Sequence, residues 1–111
     1  MEQITWNDFE KVELRVGTVV KIEDFPEAKK PAYKLWIDLG DIGIKKSSAQ
    51  ITTYYKKEDL LGKQVICVCN FPPRQIGNFM SEVLTTGFVL EDKTVIIAQP
   101  ERTVKNGSKL A

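Results

Sequence analysis

Between Leu14 and Ile22 the chain alternates: Leu14, Val16, Thr18, Val20 and Ile22 share one side of an extended backbone, and Arg15, Gly17, Val19 and Lys21 the other. A period of two over this length predicts a strand with one buried face. Gly17 in its middle predicts a bend or bulge, as a strand needs when it curls around a small barrel. A loop from Glu23 to Pro31, punctuated by Pro26 and Pro31, leads to a second alternating run in which Tyr33, Leu35, Ile37 and Leu39 face inward. Its other face carries Lys34 and Trp36 at sheet spacing. After a turn at Gly40-Asp41, Ile42 to Ala49 gives a third, less apolar strand. Tyr54 to Leu61 predicts a short helix with Leu60 and Leu61 as core anchors and Gly62 just past its end.

The most apolar run, Val65-Ile66-Cys67-Val68-Cys69, completes a buried fourth strand that starts at Gln64. It stops at Asn70, because neither residue of the Pro72-Pro73 pair that follows can donate a ladder hydrogen bond. The segment Asn70 to Glu82 reads as a loop, yet it holds Phe71, Ile76, Phe79 and Met80 beside Arg74. Loop tips without a role are usually polar. This loop is either a plug folded onto the core or onto a partner subunit, or the wall of a binding surface. Glu82 to Leu90 predicts a fifth strand and Thr94 to Ala98 a sixth. Asn106-Gly107 is a turn signal that positions one last short strand in the tail. At the other end, Thr5 caps a short helix with Asp8 at its third position. Trp6 and Phe9 share one face of it and must pack on the barrel or on a second subunit.

Three strands, a helix and further strands in 111 residues form the order of an OB-fold. That is an all-β, five-stranded Greek-key barrel with a short helix between strands 3 and 4. An SH3-like barrel and a small sandwich fit the same alternation less closely. One domain spans residues 1–111, with the barrel core at about 12–100. No run approaches the roughly 20 apolar residues of a membrane span, and the N-terminus lacks a signal-peptide pattern, so the cytoplasm is the expected location. Cys67 and Cys69 point to one face of a strand, a poor geometry for a disulfide, and read as buried thiols.

The net charge of +1 conceals a division. Residues 1–28 hold three basic and seven acidic groups, whereas residues 29–75 hold nine basic and four acidic ones, a local net of +5. There is no histidine, which removes Ser-His-Asp and Cys-His machinery outright. Asp38 and Asp41 lie close together but are a strand-end acid and a turn acid. The chain is read as a binding protein and not an enzyme, with no catalytic residue, cofactor or metal.

Val12-Glu13-Leu14-Arg15-Val16-Gly17-Thr18-Val19 and Tyr33-Lys34-Leu35-Trp36-Ile37-Asp38-Leu39-Gly40 resemble the opening of the tRNA-binding OB domain found beside methionyl-tRNA synthetases. Lys45 to Ile51 and Asn70 to Gly77 are similar to the CsaA branch of that family, stand-alone homodimers described as export-related chaperones. The resemblance covers about Trp6 to Gly107. It implies terminal extensions that join two subunits, using Trp6 and Phe9. It also implies unfolded or preprotein clients, the secretion motor and tRNA as partners, without membrane insertion. Where the tRNA-binding relatives carry Ser-x-Gly-Met, this chain has Ser81-Glu82-Val83-Leu84, so only Ser81 corresponds.

Two sites follow as expectations. A peptide groove would use Phe71, Ile76, Phe79 and Met80 for adaptable apolar contact, with Arg74 and Gln75 beside them. An RNA surface across strands 2 and 3 would use Lys34, Lys45, Lys46 and Arg74 on phosphates, Trp36 for stacking, and Ser47, Ser48 and Ser81 as polar contacts.

Overall fold

The computed structural model describes residues 1–111. Helix α1 (Trp6–Glu10) precedes strands β1 (Leu14–Asp24), β2 (Tyr33–Asp38) and β3 (Ile44–Ala49). Helix α2 (Lys57–Leu60) follows, then β4 (Gln64–Val68), β5 (Arg74–Ile76), β6 (Phe79–Ser81), β7 (Leu84–Thr85), β8 (Gly87–Val89) and β9 (Val95–Ile97). One antiparallel sheet has the order β3-β2-β1-β4-β7. Its two edges meet through the segment leading into β7. The N–H groups of Glu82 and Val83 donate to Lys46 O at 2.7 and 3.2 Å, and Ser48 N–H donates to Ser81 Oγ at 3.0 Å. The result is a nearly closed five-stranded OB-type barrel with α2 between its third and fourth strands. No helix is long and apolar enough to cross a membrane.

The core is built from alternate residues. Leu35, Ile37 and Leu39 line it from β2 and the residue after it, Val65 and Cys67 from β4, and Leu60 from α2. Leu61, expected beside Leu60, is 57% exposed, because its backbone has already turned extended at the helix C-cap (ψ 124°). In β1 the simple alternation fails at its midpoint. Val19 pairs with Ile37 but the next pair is Lys21 with Trp36, so Val20 is an extra, bulged residue. Val19 is therefore in the core at 1% exposure while Val20 is 43% exposed, the reverse of a strict period of two. Gly17 does not sit at the bulge. It is a point of close approach: a Cβ there would lie 2.5 Å from Ile37 Cγ2 and 2.8 Å from Asp38 O.

The fifth strand expected over Glu82 to Leu90 is broken into β7 and β8. Thr86 separates them because it serves two partners, donating its N–H to Ile66 O at 2.9 Å and accepting from Ala98 N–H at 3.1 Å. β8 then pairs with β9 as a separate hairpin. The tail forms its last short extended stretch along the first half of β1, which β2 leaves free. Gly107 N–H bonds Val16 O at 2.8 Å and Leu110 N–H bonds Leu14 O at 2.9 Å. At the N-terminus the Thr5–Asp8 capping box is present, with bonds of 3.0 and 3.1 Å. No residue of α1 is buried.

Two outcomes follow from this packing. Gly17→Ala should cost about 1–3 kcal/mol in urea unfolding, the cost of overpacking, and an unchanged midpoint contradicts the close approach. Burial pushes the Cys67 thiol up from 9.0 to about 12, and the Tyr33 phenol is raised in the same direction, again chiefly by burial. Above about pH 9 the unfolded chain loses the thiol proton that the folded chain keeps, so stability falls as pH rises toward 12. Urea midpoints at pH 8 and pH 10.5 measure this, and equal midpoints refute it.

Candidate binding site

Asn70 to Glu82 is more ordered than a loop. Its centre is a hairpin pairing Arg74 with Ser81, Gln75 with Met80 and Ile76 with Phe79. The two-residue turn begins at Gly77 with φ +59°, which suits a hairpin turn that needs glycine first. Pro72 and Pro73 hold the hairpin off the main ladder. Pairing places Arg74, Ile76, Phe79 and Ser81 on one face and Gln75 and Met80 on the other. Asn70 anchors the approach by accepting Glu13 N–H at 2.9 Å and donating to Lys11 O at 2.6 Å. This fixes the start of the hairpin segment to the link between α1 and β1.

The inner face of the hairpin lies on the outer face of β2. Phe79, expected in an exposed wall, is 5% exposed and forms a second small core with Phe25 and Ala32, flanked by Trp36, Ala28 and Ile76. Its ring meets Phe25 edge-on at 5.4 Å and Trp36 at 5.8 Å. Four lysine–aromatic contacts surround this core. Lys21 Nζ lies 4.5 Å above Trp36, Lys34 lies 4.9 Å from Phe25 and 5.5 Å from Phe79, and Lys46 lies 5.3 Å from Phe79. Lys34 also pairs with Glu27 at 3.7 Å. Such contacts contribute about 0.5–2 kcal/mol each, depending on desolvation.

The expected RNA surface is thereby divided. Trp36 has Lys21 on its face and Phe79 against it, so a base cannot stack there without displacing them. Ser47 is fully buried; its hydroxyl accepts from Thr85 Oγ1 at 2.9 Å and donates to Ser48 O at 3.2 Å. It is a core residue and not a contact residue, because β3 alternates and Ser47 faces inward. Lys45, opposite Ile37 across the ladder, is on that same inward side, away from Lys46. Ser48 and Ser81 remain together, joined by their hydrogen bond.

Two clefts flank the hairpin. The first, about 440 Å³, is lined by Phe71, Pro72, Arg74, Ile76, Val83 and Leu84, with Ser48, Ser81 and Glu82 between them. The second, about 660 Å³, lies between the hairpin and the loop after β1, and is lined by Lys29, Lys30, Arg74, Gln75 and Gln50, with Glu27, Ala28, Ala32, Ser48, Ile76 and Gly77. Phe71, Arg74 and Ile76 line the first cleft and Arg74, Gln75 and Ile76 the second, and Phe71 is 55% exposed. Met80 points from the opposite face of the hairpin and lines neither cleft. Val83 and Leu84 escaped the sequence reading because they looked like ordinary strand residues. Lys29 and Lys30 escaped because they stood in a loop, although the adjacent pair next to Pro31 was a visible signal. The Arg74 side chain makes no ion pair or hydrogen bond in the structure, while Glu27 is drawn to Lys34.

Residues 14–109 match the family described as "Putative tRNA binding domain". Two full-length structural relatives are CsaA chaperones. That of Bacillus anthracis str. Ames is 45% identical with a TM-score of 0.94, covering 99% of this chain and 100% of that one. That of Picrophilus torridus is 51% identical with a TM-score of 0.91, covering 98% and 100%. The chain belongs to this tRNA-binding family and is of its CsaA type. Methionine–tRNA ligase of Methanocaldococcus jannaschii is also similar, at 40% identity over 110 residues. That match covers 99% of this chain and 17% of the ligase, so the CsaA-type chain spans about a sixth of such relatives. The matched family is a binding domain and not a catalytic one, whatever the whole ligases do.

The two phenylalanines of the hairpin segment separate by experiment. Phe79→Ala should destabilise the CsaA-type chain by about 3–5 kcal/mol, the range for emptying a buried aromatic site. Phe71→Ala should stay within about 0.5 kcal/mol of wild type, as exposed sites do. Urea unfolding of both variants tests this, and equal effects would mean the burial pattern is wrong.

Proposed function

We propose that the protein is a chaperone-like binding protein that holds unfolded or preprotein segments in the cleft walled by Phe71 and Leu84. The observation that carries this reading is the combination of exposed apolar side chains with an uncommitted guanidinium. Phe71 and Leu84 are both about half exposed, and Arg74 beside them has no acidic partner. Isolated apolar residues on a surface need no explanation, but several lining one concave groove mark a binding site. Both CsaA chaperones named above span the whole chain, which supports the same reading. A homodimer accords with α1, whose Trp6 is 65% exposed and stacks only on Phe9, at 5.3 Å. A second subunit would cover that pair. The secretion motor is a candidate partner through the resemblance alone.

Binding of tRNA is the second reading, favoured by family membership and by the basic residues Lys46 and Arg74. Because Trp36 is covered, such binding relies on phosphate contacts and weakens steeply with salt.

Fluorescence anisotropy with a labelled unfolded peptide and with bulk tRNA, at low and physiological salt, tests both. Phe71→Ala should weaken peptide binding about tenfold and leave tRNA unchanged. Arg74→Ala combined with Lys46→Ala should weaken tRNA binding and reduce its salt slope by about 1–2 units. Peptide affinity unchanged by Phe71→Ala removes the groove from the proposal.

A further inference from the structure

The apolar cleft and the basic cleft are not independent concavities. Ser48, Arg74 and Ile76 line both, so the two clefts adjoin along the Arg74 side chain as the two arms of one bent groove. Their linings differ in kind. The first arm presents Phe71, Pro72, Val83 and Leu84. The second presents Lys29, Lys30, Gln50 and Gln75, and its apolar members other than Ile76 are only alanines. Neither Lys29, Lys30 nor Arg74 takes part in an ion pair, and the one acid of the second arm, Glu27, is held by Lys34 at 3.7 Å. Three cations thus line this arm with no partner inside the chain. At the junction, β5 pairs with β6 alone, so its other edge keeps free backbone donors and acceptors of the kind an extended peptide can use.

We infer that the groove reads one continuous extended peptide segment with two features, an apolar stretch seated against Phe71 and Leu84 and an acidic stretch seated against Lys29 and Lys30. Arg74 bridges the two. This inference rests on the peptide-binding reading and narrows it from any unfolded segment to those carrying apolar and acidic residues side by side. Opposite charges across the second arm set the direction in which a segment lies, since reversing it places acid groups among apolar side chains. A basic segment is rejected by like charge.

The test uses the full chain and three labelled peptides on a common Gly-Ser background: leucines followed by aspartates, leucines followed by lysines, and leucines alone. At low salt the Leu-Asp peptide should bind roughly tenfold more tightly than the Leu-Lys peptide, given partly exposed pairs, and the gap should narrow as salt rises. Lys29→Ala with Lys30→Ala should remove most of that gap and leave the Leu-only peptide unchanged. Phe71→Ala should weaken all three while keeping their ratio, and Lys63→Ala, remote from both arms, should change nothing. Binding of the Leu-only peptide with no preference for aspartate overturns the inference and leaves the peptide reading standing. Binding of none of the three refutes the peptide reading itself. Displacement of the Leu-Asp peptide, but not the Leu-only peptide, by single-stranded RNA at concentrations below the peptide Kd makes the second arm a phosphate site and also overturns the inference. Because the peptides are compared on wild-type protein, the inference stays open to refutation even if a variant fails to fold.

Discussion

Burial of Phe79 is the contact on which the rest of the site depends. The hairpin that carries it is only three residues long on each side, too short to be stable alone. Its place is fixed because one aromatic ring inserts between Phe25 and Trp36 on the outer face of β2. Burying a ring of this size contributes a few kcal/mol, enough to hold a short excursion of the chain in one position. Both clefts have the hairpin as a shared wall. Without the Phe79 anchor, Arg74 and Ile76 would have no fixed geometry and the clefts would not persist.

The same anchor changes what the barrel can offer a nucleic acid. In OB barrels the face of strands 2 and 3 supplies the binding platform. Here the hairpin occupies part of it, and Lys34 and Lys46, two of the lysines expected on phosphates, lie over aromatic rings instead. Those contacts are favourable within the chain, so a ligand that recruits Lys34 or Lys46 must compensate for them. Arg74, Lys29 and Lys30 carry no such cost. The available positive charge has therefore moved from the sheet face to the rim between the hairpin and the loop after β1.

Much of the barrel was legible because alternation reports which face of a strand is buried, and β2 follows it without exception. What was not legible has particular causes. A bulge at Val20 shifts the alternation, so that Gly17 and Val19 face the core before it and Ile22 after it, and nothing in the local sequence distinguishes Val19 from Val20. Gly17 signalled a special position, but a missing Cβ serves a bend and a close approach equally well, and only the neighbouring Ile37 and Asp38 decide between them. Thr86 looks like a mid-strand residue; its role in ending one sheet and starting another depends on partners more than ten residues away. The same is true of Phe71 and Phe79. Both are phenylalanines in one Pro- and Gly-rich segment, but the hairpin register buries Phe79, whereas Phe71, ahead of the two prolines, lies outside the hairpin and stays exposed.

That register buries the Phe79 face as a plug and leaves room for the proposed wall beside it. In one irregular loop a plug and a binding wall are alternatives. In a hairpin they become consequences of each other: one face must be buried for the other surfaces to be held still. A rigid wall matters for an adaptable binding site, because affinity for an unfolded segment is already reduced by the entropy of ordering that segment. If the wall also had to be ordered on binding, the apolar area of Phe71 and Leu84 would be offset twice. Anchoring by Phe79 on one side, and by Asn70 to Lys11 and Glu13 on the other, completes that ordering when the protein folds. Under the proposed peptide reading, the ordering cost of binding is then confined to the ligand.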